Sequence, residues 1–163
     1  PGLRESFFVR VFAFRRLKDL WATAWTTGDL VSFHTREKHL VMAHHVEGYR
    51  SLGRLIAHAR DHDRNSLCEQ YTHTLMTGLG RRVSRGSHTN VLQHIAGYLR
   101  EHISSDQRRE LAMVIDDYRL GIVPLIGPLT LIRHLVNLHD VAYIAQQTYL
   151  APCPKQLMLR NVS

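Results

Sequence analysis

The chain has 163 residues, 44% of them hydrophobic, which excludes a disordered chain and allows one domain with its own core. Lys and Arg number 21 against 14 Asp and Glu, a formal charge of +7 with a pI of about 9.9, so polyanionic partners fit: nucleic acid, an anionic membrane surface or a phosphorylated ligand. The longest apolar run, "GIVPLIGPLTLI", is broken by prolines and too short to span a bilayer.

Helical periodicity accounts for nearly all of the chain. In "RESFFVRVFAFRRLKDLWATAW", Phe7, Val11, Phe14, Trp21 and Trp25 recur at three-, four- and seven-residue steps, which predicts a first helix with this stripe in the core. Thr27, Gly28 and Asp29 break it and offer a cap to "LVSFHTREKHLVMAHH", whose inner side carries Phe33, Leu40 and Val41. "EGYRSLGRLIAHAR" is a further helical segment, "DHDRN" a polar loop, and "SLCEQYTHTLMTGL" an amphipathic helix ended by Gly78 and Gly80. Ser87 reads as the N-cap of "HTNVLQHIAGYLREHI", and "SSDQRRELAMVIDDYRLG" opens on capping serines and closes on Gly121. "VPLIGP" is a rigid connector, "LTLIRHLVNL" and "DVAYIAQQTYL" close the domain, and "APCPKQLMLRNVS" is a proline-broken tail. With no period-two run long enough for a strand, the expected fold is all-α, a single compact domain of about seven or eight helices.

Chemistry concentrates around "GLGRRVSRGSHTNVLQH". Arg81, Arg82 and Arg85 lie on a loop that leads into a helix start, where unpaired N–H groups and the positive end of the helix favour anions. His88 and Asn90 complete a phosphate cradle; a solvated basic turn, with Ser87 and Asn90 only capping the helix, is the plain alternative. His34 and Lys38 are four apart on one helix, as are His94 and Tyr98 on a later one, and His44 and His45 end the first of these. Such groups form a polar pocket between two helices, or else core histidines and a packed phenol with satisfied polar atoms. Asp116 and Asp117 point in different directions from a helix and read as surface residues beside Arg119. Cys68 and Cys153 form no CxxC pair, which argues against a disulfide scaffold and for a reducing, cytoplasmic setting. The sequence has no HExxH, GxSxG, P-loop or GxGxxG motif, so no metal, nucleophile or nucleotide fingerprint is carried. No signal peptide is visible, and the chain starts at Pro1 without methionine, which suggests processing or a piece of a longer protein.

Three ordered stretches carry a resemblance: "FHTREKHLVMAH", the H-x-N-V-L-x-H-x2-G-Y segment of "HTNVLQHIAGYLREHI", and the Y-R-x-G-x2-P-L-x2-P-L segment of "YRLGIVPLIGPLTLIRH". From about residue 7 to the end the chain resembles the YbgA-like domain of unknown function. That family occurs alone and fused behind a desulfidase-like domain that holds a four-iron four-sulfur cluster. The fused proteins resemble RNA uridine desulfidases, which return 4-thiouridine in transfer RNA to uridine. "LRESFFVRVFAFRRL" looks like the joint of the fused form, so the resemblance implies that residues 1–26 join an absent upstream desulfidase domain and that 27–163 are the YbgA-like domain. It implies no cofactor in this chain, the cluster being held upstream, and no catalytic residue here.

The resulting expectation is an accessory domain, not itself an enzyme, that binds transfer RNA and has the desulfidase domain as its partner, with no membrane. Arg81, Arg82, Arg85 and Lys38 are expected on phosphates, with His34, His88, Asn90, His94 and Tyr98 beside them, and Arg119, Arg133 and His134 as further contacts. Two alternatives stand: a docking module, which calls for an exposed apolar patch on the first helix, and a stand-alone His/Lys-based enzyme acting on nucleotides, which calls for His34, Lys38, His88, Asn90 and His94 in one closed pocket.

Overall fold

The computed structural model describes residues 2–157. Among them are eight α-helices and no strand: α1 (Gly2–Trp21), α2 (Thr27–His44), α3 (Val46–Ala57), α4 (Arg64–Leu79), α5 (Arg85–Leu99), α6 (Ser105–Arg119), α7 (Ile126–Leu138) and α8 (Ala142–Ala145), with 3-10 turns at Ala59–Asp61 and Lys155–Leu157. Side-chain caps decide most of the starts. Thr26 and Asp29 form a capping box on α2, and Ser104 and Gln107 form one on α6. Asp63 and Ser84 accept N–H bonds at the starts of α4 and α5. α7 starts inside the expected connector, with Pro128 in its first turn, where a helix needs no N–H donor. No helix among the described residues is long and apolar enough to cross a membrane.

α2 packs against α1, α3, α4 and α5, and α5 carries the core onward to α6 and α7. Leu30, Leu40 and Val41 of α2, Leu75 of α4, and Val91, Leu92 and Ile95 of α5 are almost completely removed from water. Between α2 and α3 only His45 leaves helical geometry, and the turn closes because Gly48 has no side chain. A Cβ there would lie 2.6 Å from His45 Nδ1.

α1 reverses the expected orientation. Its buried strip is Val9, Ala13 and Leu17, while Phe7 and Val11 are 62% and 43% exposed and Phe14 is 41% exposed. The helix is apolar on two faces, and the one that docks carries Val9, Ala13 and Leu17, at most 3% exposed. The tryptophans do turn inward: Trp25 is buried, and Trp21 donates Nε1–H to Thr72 Oγ1 at 3.0 Å. α1 is therefore part of the core.

The C-terminal segment also differs from expectation. Only Ala142–Ala145 of "DVAYIAQQTYL" is helical. The residues after it run irregularly and tie to α1, α2 and α7, and through Tyr149 to α5. Gln147 Nε2 donates to Thr35 O of α2, and its Oε1 accepts from His39 Nδ1 at 2.7 Å. Thr148 bonds to Arg36 O and to the Glu37 carboxylate of α2. Arg133 of α7 donates to Leu150 O, and Arg16 of α1 donates to Pro152 O. Arg16 also holds Glu37, 1% exposed, through Nε at 2.6 Å and Nη2 at 3.0 Å.

His34 lies inside this core, 8% exposed, with Nδ1 3.1 Å from the hydroxyl of Tyr71. Burial, and secondarily the Lys38 charge, hold its pKa down at about 4. Burial, helped by Glu37, pushes the Tyr71 phenol well up. Both groups are therefore neutral, and the Tyr71 O–H donates to the imidazole.

Two outcomes follow for stability. Arg16→Met strands a buried carboxylate and costs about 3 kcal/mol, read as a lower urea midpoint with an unchanged slope. An unfolded imidazole has the ordinary value of 6.5, so between there and about 4 the unfolded chain takes a proton that folded His34 refuses. Stability is then flat above that window and falls as pH drops through it. Thermal melts from pH 7.5 to 4.5 should show that slope, and His34→Gln should reduce it, leaving the part that comes from His39, whose pKa burial also lowers.

Candidate functional site

The basic loop is short. α4 ends at Gly80, residues 81–83 cross over, and Ser84 caps α5 by accepting the Ser87 N–H at 3.0 Å. Ser87, the expected cap, is thus the third helical residue. Ser84 and Ser87 are both able to cap, and nothing in "RGS" breaks a helix, so it starts one turn early. The shift makes Arg85 the first residue of α5.

From that position the guanidinium of Arg85 turns toward the end of α6. Its Nη1 donates to Tyr118 O at 2.6 Å, and its Cζ sits 5.0 Å from the centre of the Tyr118 ring. α6 ends in a left-handed turn at Gly121, φ +81°, where the N–H of Gly121 bonds to Tyr118 O and that of Ile122 to Asp117 O. Arg85 therefore places its cation on the negative end of a helix. One turn along α5, His88 Nδ1 lies 2.8 Å from the hydroxyl of Tyr149 and its ring packs edge-on to Tyr118. At the end of α2, His44 Nδ1–H donates to Arg81 O at 2.8 Å and pins the loop to the core. Under the loop lies a cavity of about 400 Å³, walled by α1 at Glu5, Ser6 and Val9, by His44, by Arg82 and Val83, by Arg85 and His88, and by Tyr118 and Leu125.

The remaining expected residues do not join this group. Lys38 and Tyr98 belong to a second cluster. Lys38 Nζ stands 4.9 Å over the Tyr143 ring, Tyr98 and Tyr143 are 4.6 Å apart, and Tyr98 stacks on His102. His94, exposed on α5, bears on this cluster through its charge on His39, whose pKa burial lowers first. His34 is in the core on Tyr71, out of reach of a phosphate. Asn90 is exposed on α5, Arg119 is exposed and pairs with Asp116 at 2.7 Å, Arg133 holds Leu150 O, and His134 is exposed. The five residues of the nucleotide-enzyme alternative are therefore spread over the core, the loop cavity, the tyrosine cluster and open surface. Among the described residues no three of His, Cys, Asp and Glu are grouped to hold a metal.

The sequence reading missed the cations of α1. Arg4, Arg10, Arg15 and Lys18 are exposed, and the Arg10 guanidinium reaches within 3.7 Å of where a Cβ on Gly80 would be, so α1 and the loop share one basic surface. Arg16 pairs with Glu37, Arg50 with Glu47, Arg109 with Asp106 and Arg119 with Asp116, and α1 also carries Glu5 and the exposed Asp19. Reading α1 as a core helix hid its cations. The signal was the even spread of Arg and Lys around it.

Comparison with known proteins adds identity without activity. Residues 38–154 match a family described as a protein of unknown function, DUF1722. A protein from Escherichia coli (strain K12), "Uncharacterized protein YbgA", is 35% identical over 158 residues, covering 96% of this chain and 94% of the relative. No solved structure matches the chain.

Arg82 and Arg85 should separate on mutation. Arg85→Ala removes a charged hydrogen bond and a ring contact and is expected to cost about 1.5–3 kcal/mol in denaturant titration. Arg82→Ala, on open surface, should stay within about 0.5 kcal/mol of the parent.

Proposed function

The chain belongs to the DUF1722 family of proteins of unknown function, and we propose that it is an RNA-holding domain, with transfer RNA as its folded target. The observation that carries this reading is the exposed basic surface: Arg4, Arg10, Arg15 and Lys18 on α1 beside Arg81 and Arg82 of the loop. Phosphates are the ligand such a surface fits, because releasing their counterions drives binding without any base contact. Phe7 and Phe14, exposed among these cations, present ring faces on which unpaired bases stack. Arg85, Arg133 and Arg119 are committed to the protein's own groups, so the RNA-facing set is smaller than the sequence suggested and shifts toward α1. The fused proteins that the motifs resemble supply the setting, in which this domain presents a thiolated transfer RNA to a desulfidase domain. The Escherichia coli relative is covered over 94% of its length, which leaves no room there for that second domain, so RNA holding is proposed as a property of the helical domain itself.

One observation favours a second reading. Leu3, Phe7, Val11 and Phe14 form an apolar stripe on the outer face of α1, 72% exposed at Leu3, as a docking module requires. A partner domain laid on that stripe would cover the phenylalanines while leaving the loop arginines to RNA.

Titration with bulk transfer RNA at two salt concentrations, with duplex DNA as control, tests the first reading. Transfer RNA should bind more tightly than the duplex, with log affinity falling by roughly 0.7–0.9 per phosphate neutralised for each decade of salt. The Arg10→Ala/Arg81→Ala/Arg82→Ala variant should keep its melting temperature and reduce that slope by roughly one unit per lost contact. Equal affinity for both polymers, or a variant that binds like the parent, rejects the assignment.

A further inference from the structure

We infer that the aromatic ladder where α2, α5 and α8 meet, running Lys38–Tyr143–Tyr98–His102, is a stacking site for an unpaired base of an RNA strand. The inference rests on the RNA-holding reading and adds to it a second contact, carried by none of the residues of α1 or the basic loop. The ladder is built in order. Lys38 Nζ lies 4.9 Å from the centre of the Tyr143 ring, Tyr143 and Tyr98 are 4.6 Å apart, and Tyr98 and His102 are 5.5 Å apart and within 20° of parallel. Its inner end is fixed. Buried His39 packs edge-on to Tyr143 at 6.3 Å and bonds to Gln147, which in turn donates to Tyr143 O. Its outer end faces water: Tyr98 is 44% exposed, and His102 is exposed.

Core packing does not account for the outer rings. Ile95 and Leu99, fully buried, hold this stretch of α5 in the core, while Tyr98 keeps nearly half of its surface in water. A ring stacked almost parallel on an exposed neighbour is set in place before a ligand arrives. A further flat ring laid on the His102 end continues the stack and orders few side chains in doing so. Every base has such a face, and stacking on an aromatic side chain tolerates any sequence. The flanks select the strand. Lys38 and His94 both act by charge on His39, secondary to its burial, so both border the ladder where α5 meets α2. On the side toward α6, Arg100 and Arg108 line a groove, with Arg109 beside them paired to Asp106. The acid on this stretch of α5 is the exposed Glu101. A neutral sugar also stacks on tyrosine but has no use for cations on both flanks. A phosphate chain crossing α5 meets them on either side of the stacked base.

The full chain is titrated by fluorescence anisotropy with a short labelled oligouridylate, with transfer RNA and with a blunt RNA duplex. Tyr98→Leu removes the exposed ring, Tyr98→Phe keeps it, and His102→Ala takes off the outer end of the stack; melting confirms that each is folded. Tyr98→Leu is expected to weaken the oligouridylate and transfer RNA by roughly fivefold or more, and Tyr98→Phe to stay within about twofold of the parent. The duplex, whose bases are hidden, should bind Tyr98→Leu as it binds the parent, and the salt slope, which counts phosphates, should not change. His102→Ala, expected to lose roughly threefold or more on the oligouridylate, decides the matter if Tyr98→Leu does not fold. Unchanged oligouridylate affinity in Tyr98→Leu overturns the stacking site; if Arg10→Ala/Arg81→Ala/Arg82→Ala still weakens transfer RNA, the RNA reading stands without it. An equal loss on the duplex, or Tyr98→Phe as weak as Tyr98→Leu, overturns the site too. A loss in Tyr98→Leu beside a triple arginine variant that binds like the parent keeps the site and rejects the α1 surface. No binding of either the oligouridylate or transfer RNA by the parent at low salt overturns both.

Discussion

A carboxylate with almost no surface exposed has to be neutralised where it stands, and Glu37 sets that condition for the whole domain. It sits on α2, the helix that touches α1, α3, α4 and α5. Its two oxygens accept from the fork of Arg16, and one also accepts from Thr148. Such a pair contributes little net stability over an apolar substitute, but half of it alone is expensive. The arrangement therefore works as a register lock. α1 must lie with residue 16 against residue 37, and the segment after α8 must bring Thr148 to the same point.

That segment is where the helices are tied together and where the cavity takes its shape. Its irregular backbone has carbonyls that no helix uses. Arg16 and Arg133 donate to two of them, at Pro152 and Leu150. Tyr149, completely buried, meets His88 on the first turns of α5. The orientation of α5 at the loop is thus set from the far end of the chain. Arg85 then closes the opposite side by fastening α5 to the last turn of α6. The loop arginines stand on a frame whose polar contacts are almost all between residues distant in sequence.

This explains what the sequence could tell and what it could not. Helix number and most helix limits are local properties, written in Asp63, Ser104 and Gly121 and in the apolar spacing of α2, α4 and α5. The face of α1 is not local. Apolar residues lie on two sides of it, and which side docks is settled by the helices it meets, not by its own sequence. His34 and Lys38 share a helix face, yet the side chain one turn away meets Tyr71 while the other reaches Tyr143. Three arginines in one loop look alike in the chain. One is drawn inward by a carbonyl 33 residues away, and no pattern around residue 85 records that.

α1 also bears on the kind of ligand this surface suits. Its outer arc places Leu3, Phe7, Val11 and Phe14 among Arg4, Arg10, Arg15 and Lys18, and the Lys18 ammonium lies 5.7 Å from the Phe14 ring centre. A face made only for phosphates would not hold four large apolar side chains in water. Looped RNA offers both halves, a charged strand and unstacked base faces, whereas a duplex offers the charge and hides the bases. On the proposed RNA-holding reading, the two halves of α1 would meet the strand and the unstacked bases of unpaired RNA together.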